Sequence, residues 1–142
     1  MIHESCVLSI MKFITYQFDE TVKAELNKRN IPIEGKHAEL FMILFAYDNK
    51  MEFKKLTKAW RKSKSSLSDV VNKYEKSGLL RRVSSDSDKR IITVEATNEA
   101  LKYIPDFDNI SKNYLNKAVK GTSLEEIKIL KKIILDMKYN LI

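Results

Sequence analysis

Residues 63–83 read Ser-Lys-Ser-Ser-Leu-Ser-Asp-Val-Val-Asn-Lys-Tyr-Glu-Lys-Ser-Gly-Leu-Leu-Arg-Arg-Val. Ser63 has the chemistry of a helix N-cap, whose hydroxyl accepts from the first unpaired amides of the helix. Gly78 stands where a left-handed residue closes a helix most easily. Between them Leu67, Val70, Val71 and Tyr74 recur at helical spacing, while Lys64, Ser65, Ser68, Asp69, Asn72, Lys73 and Lys76 occupy the other side with no apolar residue among them. The stretch therefore predicts a helix from Lys64 to about Ser77 that turns one face to a core and the other to a polar partner.

On the N-terminal side, Glu52 to Trp60 reads as a short helix with Phe53, Leu56 and Trp60 inward, separated from the first by the polar turn Arg61-Lys62-Ser63. On the other side, Leu80–Val83 and Ile91–Glu95 read as two strands joined by Ser84-Ser85-Asp86-Ser87-Asp88-Lys89-Arg90, a polar hairpin tip. Short helix, tight turn, second helix and basic hairpin make a winged helix-turn-helix, an arrangement that suits duplex DNA. The major groove admits one helix. Ser63, Ser65, Ser66 and Ser68 are small enough to bring the helix start close to phosphates, Lys64 and Lys73 supply charge, and Asn72 carries the paired donor and acceptor suited to adenine. Lys89 and Arg90 at the hairpin tip have the size and charge to enter a minor groove.

The charge distribution agrees. The 142 residues carry a formal charge of +7, and Lys50 to Arg90 alone holds 13 Lys or Arg against 5 Asp or Glu. Such a concentration in the middle of the chain argues for one anion-binding face rather than a solubilising surface. With 44% apolar and 32% charged residues, 3 Gly and 2 Pro, disorder and collagen-like structure are excluded. The single cysteine allows no intrachain disulfide, and neither a leader nor an apolar run of membrane-spanning length is seen, so a cytoplasmic location with no membrane partner is expected.

The flanks are helical. From Glu4 to Arg29 the residues Val7, Ile10, Met11, Ile14, Phe18 and Val22 form a stripe widened by Cys6, Leu8, Phe13 and Tyr16, and Asn30-Ile31-Pro32 ends it. A second helix is expected from Glu34 or Lys36 to Tyr47. Thr97 can cap a helix running toward Gly121 that Pro105 kinks or interrupts. Ser123-Leu124-Glu125-Glu126 is a capping box that starts a last helix with Leu124, Ile127, Leu130, Ile134 and Met137 on one side. The apolar surface at the two ends exceeds what a small basic centre can cover, which points to a two-fold dimer through Val7, Ile10, Met11, Ile14, Phe18, Leu130, Ile134 and Met137.

Residues 63–83, followed by Ser-Asp-Lys-Arg and then Val-Glu-Ala-Thr97, resemble the multiple-antibiotic-resistance regulator (MarR) family of transcription factors over about Glu52 to Ala100. The resemblance implies a mainly α fold with a small β-hairpin wing. It divides the chain into an N-terminal dimerisation helix in residues 1–30, a winged helix-turn-helix in 31–97 and C-terminal dimerisation helices in 98–142, all one domain. It also implies a homodimer with interlocked terminal helices, a wing Arg90 that reaches the minor groove and an Asp88 that holds it in position. Repression of transcription is the family's habit; a pseudo-palindromic operator is expected, with a small-molecule effector of unknown identity expected where the terminal helices meet the winged region. Three positions depart from the pattern: Arg61 replaces a common Gly in the turn, Asp69 a DNA-contacting Arg, and Ala100 a Gly after the capping Thr. Asp69 is then an acceptor suited to a cytosine amine.

Other residues read more plainly. Trp60 and Tyr74 lie on apolar stripes and are expected in the core. Cys6, with no adjacent basic residue, reads as a small hydrophobe rather than a redox sensor. His3 with Cys6, or His37 with Glu34 and Glu39, falls short of a metal-ligand cluster, so neither metal nor cofactor is expected. No phosphate loop, Ser-His-Asp set or His-Glu-x-x-His is present, and the carboxylate pairs Asp86/Asp88 and Glu125/Glu126 are explained by a hairpin tip and a helix start, which argues against an enzyme. The alternative is a winged-helix module that holds another protein or binds DNA without sequence preference; steep salt dependence with no gain for a specific site would mark it.

Overall fold

The structure, a computed structural model, describes residues 2–142. Its elements run α1 (Glu4–Lys28), a 3-10 turn (Gly35–His37), α2 (Ala38–Ala46), β1 (Lys50–Glu52), α3 (Phe53–Trp60), α4 (Lys64–Lys76), β2 (Leu80–Ser84), β3 (Ile92–Ala96), α5 (Asn98–Leu101), α6 (Ile104–Ala118) and α7 (Leu124–Asn140). Two compact units divide within α6, the first ending at Ile110 and the second running Ser111–Ile142.

Local signals account for most of these boundaries. Ser63, Thr97 and Ser123 are all extended N-caps whose side chains accept from the amides of Ser66, Ala100 and Glu126. The helix expected from Thr97 is broken into α5 and α6, and Pro105 falls in the first turn of α6, where an amide is not needed. The helix expected from Glu34 or Lys36 to Tyr47 is a 3-10 turn followed by α2, which ends at Ala46.

The wing is larger than the hairpin expected from the sequence. β1 joins it, giving an antiparallel sheet of order β1-β3-β2 in which Val94 pairs with Met51 on one side and Arg82 on the other. Glu52 is thus the last residue of β1, and α3 starts one position later than expected. β1 has no local signal because three residues are too short to show alternation; its partner lies far along the chain.

The core of the first unit packs the inner faces of α2, α3 and α4 against the sheet and the C-terminal part of α1. Leu26, Leu40, Phe41, Leu44, Leu56, Leu67, Val71 and Val94 are wholly shut off from solvent, each such side chain worth about 1.5–3 kcal/mol of burial. Trp60 and Tyr74 are in this core, as their stripes predicted. Ala100 is completely buried.

Gly35 is required by contact rather than by backbone angle. A Cβ there would lie 2.7 Å from Cβ of Lys23, so the 3-10 turn is pressed onto α1. Gly35→Ala is expected to destabilise the protein by roughly 1–3 kcal/mol, the usual effect of overpacking, read as a lower midpoint in denaturant unfolding. An unchanged midpoint would show that the turn can retreat from α1.

Candidate nucleic-acid interface

The turn before α4 is made by a side-chain-bearing residue. Arg61 closes α3 in the left-handed region (φ 57°), and its guanidinium donates to Glu39 Oε1 at 2.9 Å. The extended Ser63 follows, and its Oγ accepts from the Ser66 amide at 3.1 Å. With Leu67, Val70, Val71 and Tyr74 buried, helical spacing places Ser65, Asp69, Asn72 and Lys76 on the opposite face, all exposed. The side chains of Lys64, Ser65, Asp69 and Lys76 make no hydrogen bond or ion pair among the described residues.

The other polar residues of α4 are engaged. Ser66 Oγ accepts from Ser63 Oγ at 3.0 Å. Lys73 pairs with Glu34, whose carboxyl it holds below the usual range. Arg82 on β2 lies across the helix: Nη1 donates to Asn72 Oδ1 at 2.8 Å and Nη2 to Ser68 Oγ at 3.1 Å, and the same guanidinium pairs with Glu75. Sequence reasoning missed Arg82 and left Lys76 out of the site, although Lys76 lies one helical repeat beyond Asn72 on the same face. Arg82 left no local trace, because only the packing of β2 beside α4 brings it to these partners.

The wing tip is ordered by short-range bonds. The Ser85 amide donates to the Ile91 carbonyl at 2.9 Å and the Ile91 amide to that of Asp88 at 3.0 Å. Within this turn Asp88 receives Arg90 Nε on Oδ1 and Nη2 on Oδ2, both at 3.1 Å, and the Arg90 amide at 3.0 Å. The Arg90 side chain is nevertheless 91% exposed, so the pair aims the guanidinium without burying it. Asp88 is held below its usual carboxyl range by Arg90. Between wing and helix start lies an open groove of about 490 Å³ whose lining includes Lys54, Lys64, Arg82 and Arg90. Glu52 also lines it, but four cations against one carboxylate leave the groove positive, and among the described residues Lys54 and Lys64 make no ion pair. A net positive surface is the electrostatic requirement for binding a polyanion.

Behind α4 the helix is anchored through Tyr74. Its hydroxyl accepts from the Glu34 amide at 3.1 Å and lies 2.8 Å from His37 Nδ1; burial pushes the phenol up to about 12. The hydroxyl and Nδ1 share one hydrogen bond, in which either can donate according to the imidazole tautomer. Burial also lowers the His37 pKa from 6.5, with Glu34 opposing and Lys36 and Lys73 adding to the shift. The unfolded chain therefore takes up a proton near the ordinary histidine value while the folded one does not. Stability is expected to fall as pH drops through about 6.5 and below, with His37→Gln flattening that slope; equal slopes between pH 7 and 5.5 in the two proteins would remove His37 as the cause. No three His, Cys, Asp or Glu side chains converge to hold a metal among the described residues.

The residues expected at a dimer interface fall into two groups. Val7, Ile10, Met11 and Ile14 on α1, and Leu130, Ile134 and Met137 on α7, are exposed in the single chain. Phe18 instead packs against the chain's own core. Among the described residues no helix is long and apolar enough to cross a membrane.

Residues 38–92, which contain α2, α3, α4 and the wing through the start of β3, match the model of the MarR family. The winged helix is similar to that of the MarR family. Across the whole chain the MarR fold recurs in solved structures at low identity. The Staphylococcus aureus MepR structure in its DNA-binding conformation superposes with a TM-score of 0.80 at 18% identity, over 96% of this chain and 98% of that one. A MarR transcriptional regulator from Methanosarcina mazei Go1 gives 0.82 at 14% identity, over 98% and 100%. The MepR–DNA complex from S. aureus gives 0.74 at 18%, over 99% of each. A comparison with curated protein sequences returns no match. The MarR-type winged helix thus carries the sequence match, and the terminal helices share the fold.

Proposed function

We propose that this protein is a sequence-specific DNA-binding transcriptional regulator of the MarR type, acting in the cytoplasm as a homodimer and repressing transcription by occupying a pseudo-palindromic operator. The observation that carries the reading is the juxtaposition on one surface of the polar face of α4, the basic groove and the Asp88-oriented Arg90. A helix with Ser65, Asp69, Asn72 and Lys76 outward suits the major groove, and an exposed, oriented cation on a wing suits the minor groove beside it. The solved MepR–DNA complex of the same fold supports the choice of duplex DNA as partner. Regulation rather than catalysis is the role consistent with the family.

The homodimer rests on two sets of exposed apolar side chains, Val7, Leu8, Ile10, Met11, Phe13 and Ile14 on α1 and Leu130, Ile133, Ile134, Leu135 and Met137 on α7. An exposed apolar stripe of this kind on each helix marks an interaction site, and two-fold association is the commonest way to bury it. A small-molecule effector is assigned to the groove of about 800 Å³ lined by Phe18, Val22, Met42 and Trp60 with Asp19, Glu39 and Lys36 around it, a volume within the range of small-molecule sites. Its occupancy would shift the population of DNA-competent dimers.

The test is selection of bound duplexes from a random library, followed by affinity for the selected sequence and a scrambled control at two salt concentrations. A palindromic product with half-sites about one helical turn apart is expected. Salt-sensitive binding to every duplex alike would replace the proposal with an architectural module, and no binding to duplex DNA would leave the protein-interaction reading.

A further inference from the structure

Asn72 sits in the middle of the outward face of α4, yet its amide is not free to turn. Arg82 Nη1 donates to Oδ1 at 2.8 Å. The other guanidinium nitrogen, Nη2, donates to Ser68 Oγ at 3.1 Å and to the Ser68 carbonyl at 3.3 Å. Glu75 completes the clamp: one oxygen pairs with the same guanidinium, and the other accepts the Arg82 backbone amide at 3.2 Å. Arg82 is thus fixed on three sides, and its side chain is largely covered. A guanidinium offers donors only. The atom of Asn72 that faces it must be the oxygen, and reversal of the amide would set N–H against N–H. Beside a hydroxyl, which both donates and accepts, either orientation would find a partner.

We infer that Arg82 is a positioning residue for base recognition, holding the Asn72 amide with its oxygen inward and its NH2 toward the DNA groove. The inference rests on the proposed role of α4 as the groove-reading helix. Asparagine recognises adenine by donating to N7 and accepting from N6, which uses both amide atoms. Here Oδ1 is held inward on Arg82, so the atom that residue 72 turns toward the groove is its NH2, a donor. A lone donor is best met by guanine, whose O6 and N7 are both acceptors, or by O4 of thymine; adenine offers N7 beside an amino group that residue 72 then leaves without an acceptor. Asp69, one turn earlier on the same face and without a partner among the described residues, presents acceptors alone and selects an amino group, that of cytosine or adenine. The helix therefore displays a fixed acceptor–donor pair, and Arg82, which does not itself read a base, sets the second half of it.

The test compares library selections by the wild-type protein, Asn72→Ala, Asn72→Asp and Arg82→Met, with thermal unfolding of each. Asn72→Ala locates the base position read by residue 72, as the one whose preference relaxes. The wild type is expected to prefer guanine or thymine there by on the order of tenfold or more. Asn72→Asp keeps one oxygen on Arg82 and turns the other outward, so the preference should invert to cytosine or adenine while the Arg82–Glu75 pair stays intact. Arg82→Met frees the amide and should move the preference toward adenine with the other positions unchanged. A wild-type preference for adenine, or the absence of inversion in Asn72→Asp, would overturn the inference. So would an Arg82→Met protein that loses affinity equally for all sequences, because Arg82 would then serve only the fold. Should Arg82→Met fail to fold, Asn72→Asp decides by itself. Failure of the wild type to enrich any sequence would instead remove the DNA-reading proposal, and the positioning role with it.

Discussion

Ile14→Glu is expected to convert the protein to a folded monomer and to weaken binding to a two-half-site duplex by about a hundredfold or more. Ile14 lies on the α1 stripe with Val7, Ile10 and Met11 and is 46% exposed in the single chain. A carboxylate there is solvated in the monomer, so the first unit should fold normally, with its core of α2, α3, α4 and sheet untouched. In a two-fold dimer the same substitution places two charges in apolar surroundings without partners, a cost of several kcal/mol. Loss of the dimer also removes the effective concentration that lets the second half-site bind, a factor on the order of 10² to 10⁴. Sedimentation velocity and a titration of the selected duplex check both parts. A folded Ile14→Glu dimer with unimpaired binding would place the interface elsewhere.

Arg90→Ala is expected to lower affinity for all duplexes by on the order of a hundredfold and to reduce the salt dependence by about one unit of slope per wing. The guanidinium is almost fully exposed and already oriented by Asp88, so little ordering is required on binding. A hydrogen bond involving a charged group contributes about 1.5–3 kcal/mol, and a dimer makes it twice. Because Arg90 is surrounded by solvent, the substitution should leave thermal stability within about 0.5 kcal/mol of wild type. Asp88→Asn, which leaves the charge on Arg90 but weakens its orientation, should fall between the two. Measuring affinity across a salt series separates this from a base-reading defect. Unchanged affinity and slope would mean that the wing stays clear of the DNA.

These two substitutions probe residues that the sequence already pointed to, and the reason is local physics. Ser63, Thr97 and Ser123 cap their helices with hydroxyls that bond three residues onward, a pattern visible in a short window. Asp88 and Arg90 form their pair across a single intervening residue. Leu67, Val70, Val71 and Tyr74 lie on one stripe, so the core face of α4 and its polar face followed from periodicity. The terminal helices likewise announced their apolar faces by spacing.

Between residues distant in sequence the outcome was different. β1 exists because Lys50, Met51 and Glu52 find Glu95, Val94 and Thr93; nothing in those three residues distinguishes them from a loop. Gly35, legible only as a turn, proved to be the place where the chain passes against Lys23. Lys73 counted as free charge on α4 until Glu34 met it, and Asn72 as an amide free to turn until Arg82 held its oxygen inward.

Which side of each helix is apolar, where it starts and which residues are polar on its far face were determined by the sequence alone, because capping and side-chain periodicity act within one or two turns. Which of those polar groups remain unpaired was decided by the tertiary structure, because hydrogen bonds and ion pairs saturate donors and acceptors with partners that only folding brings within reach.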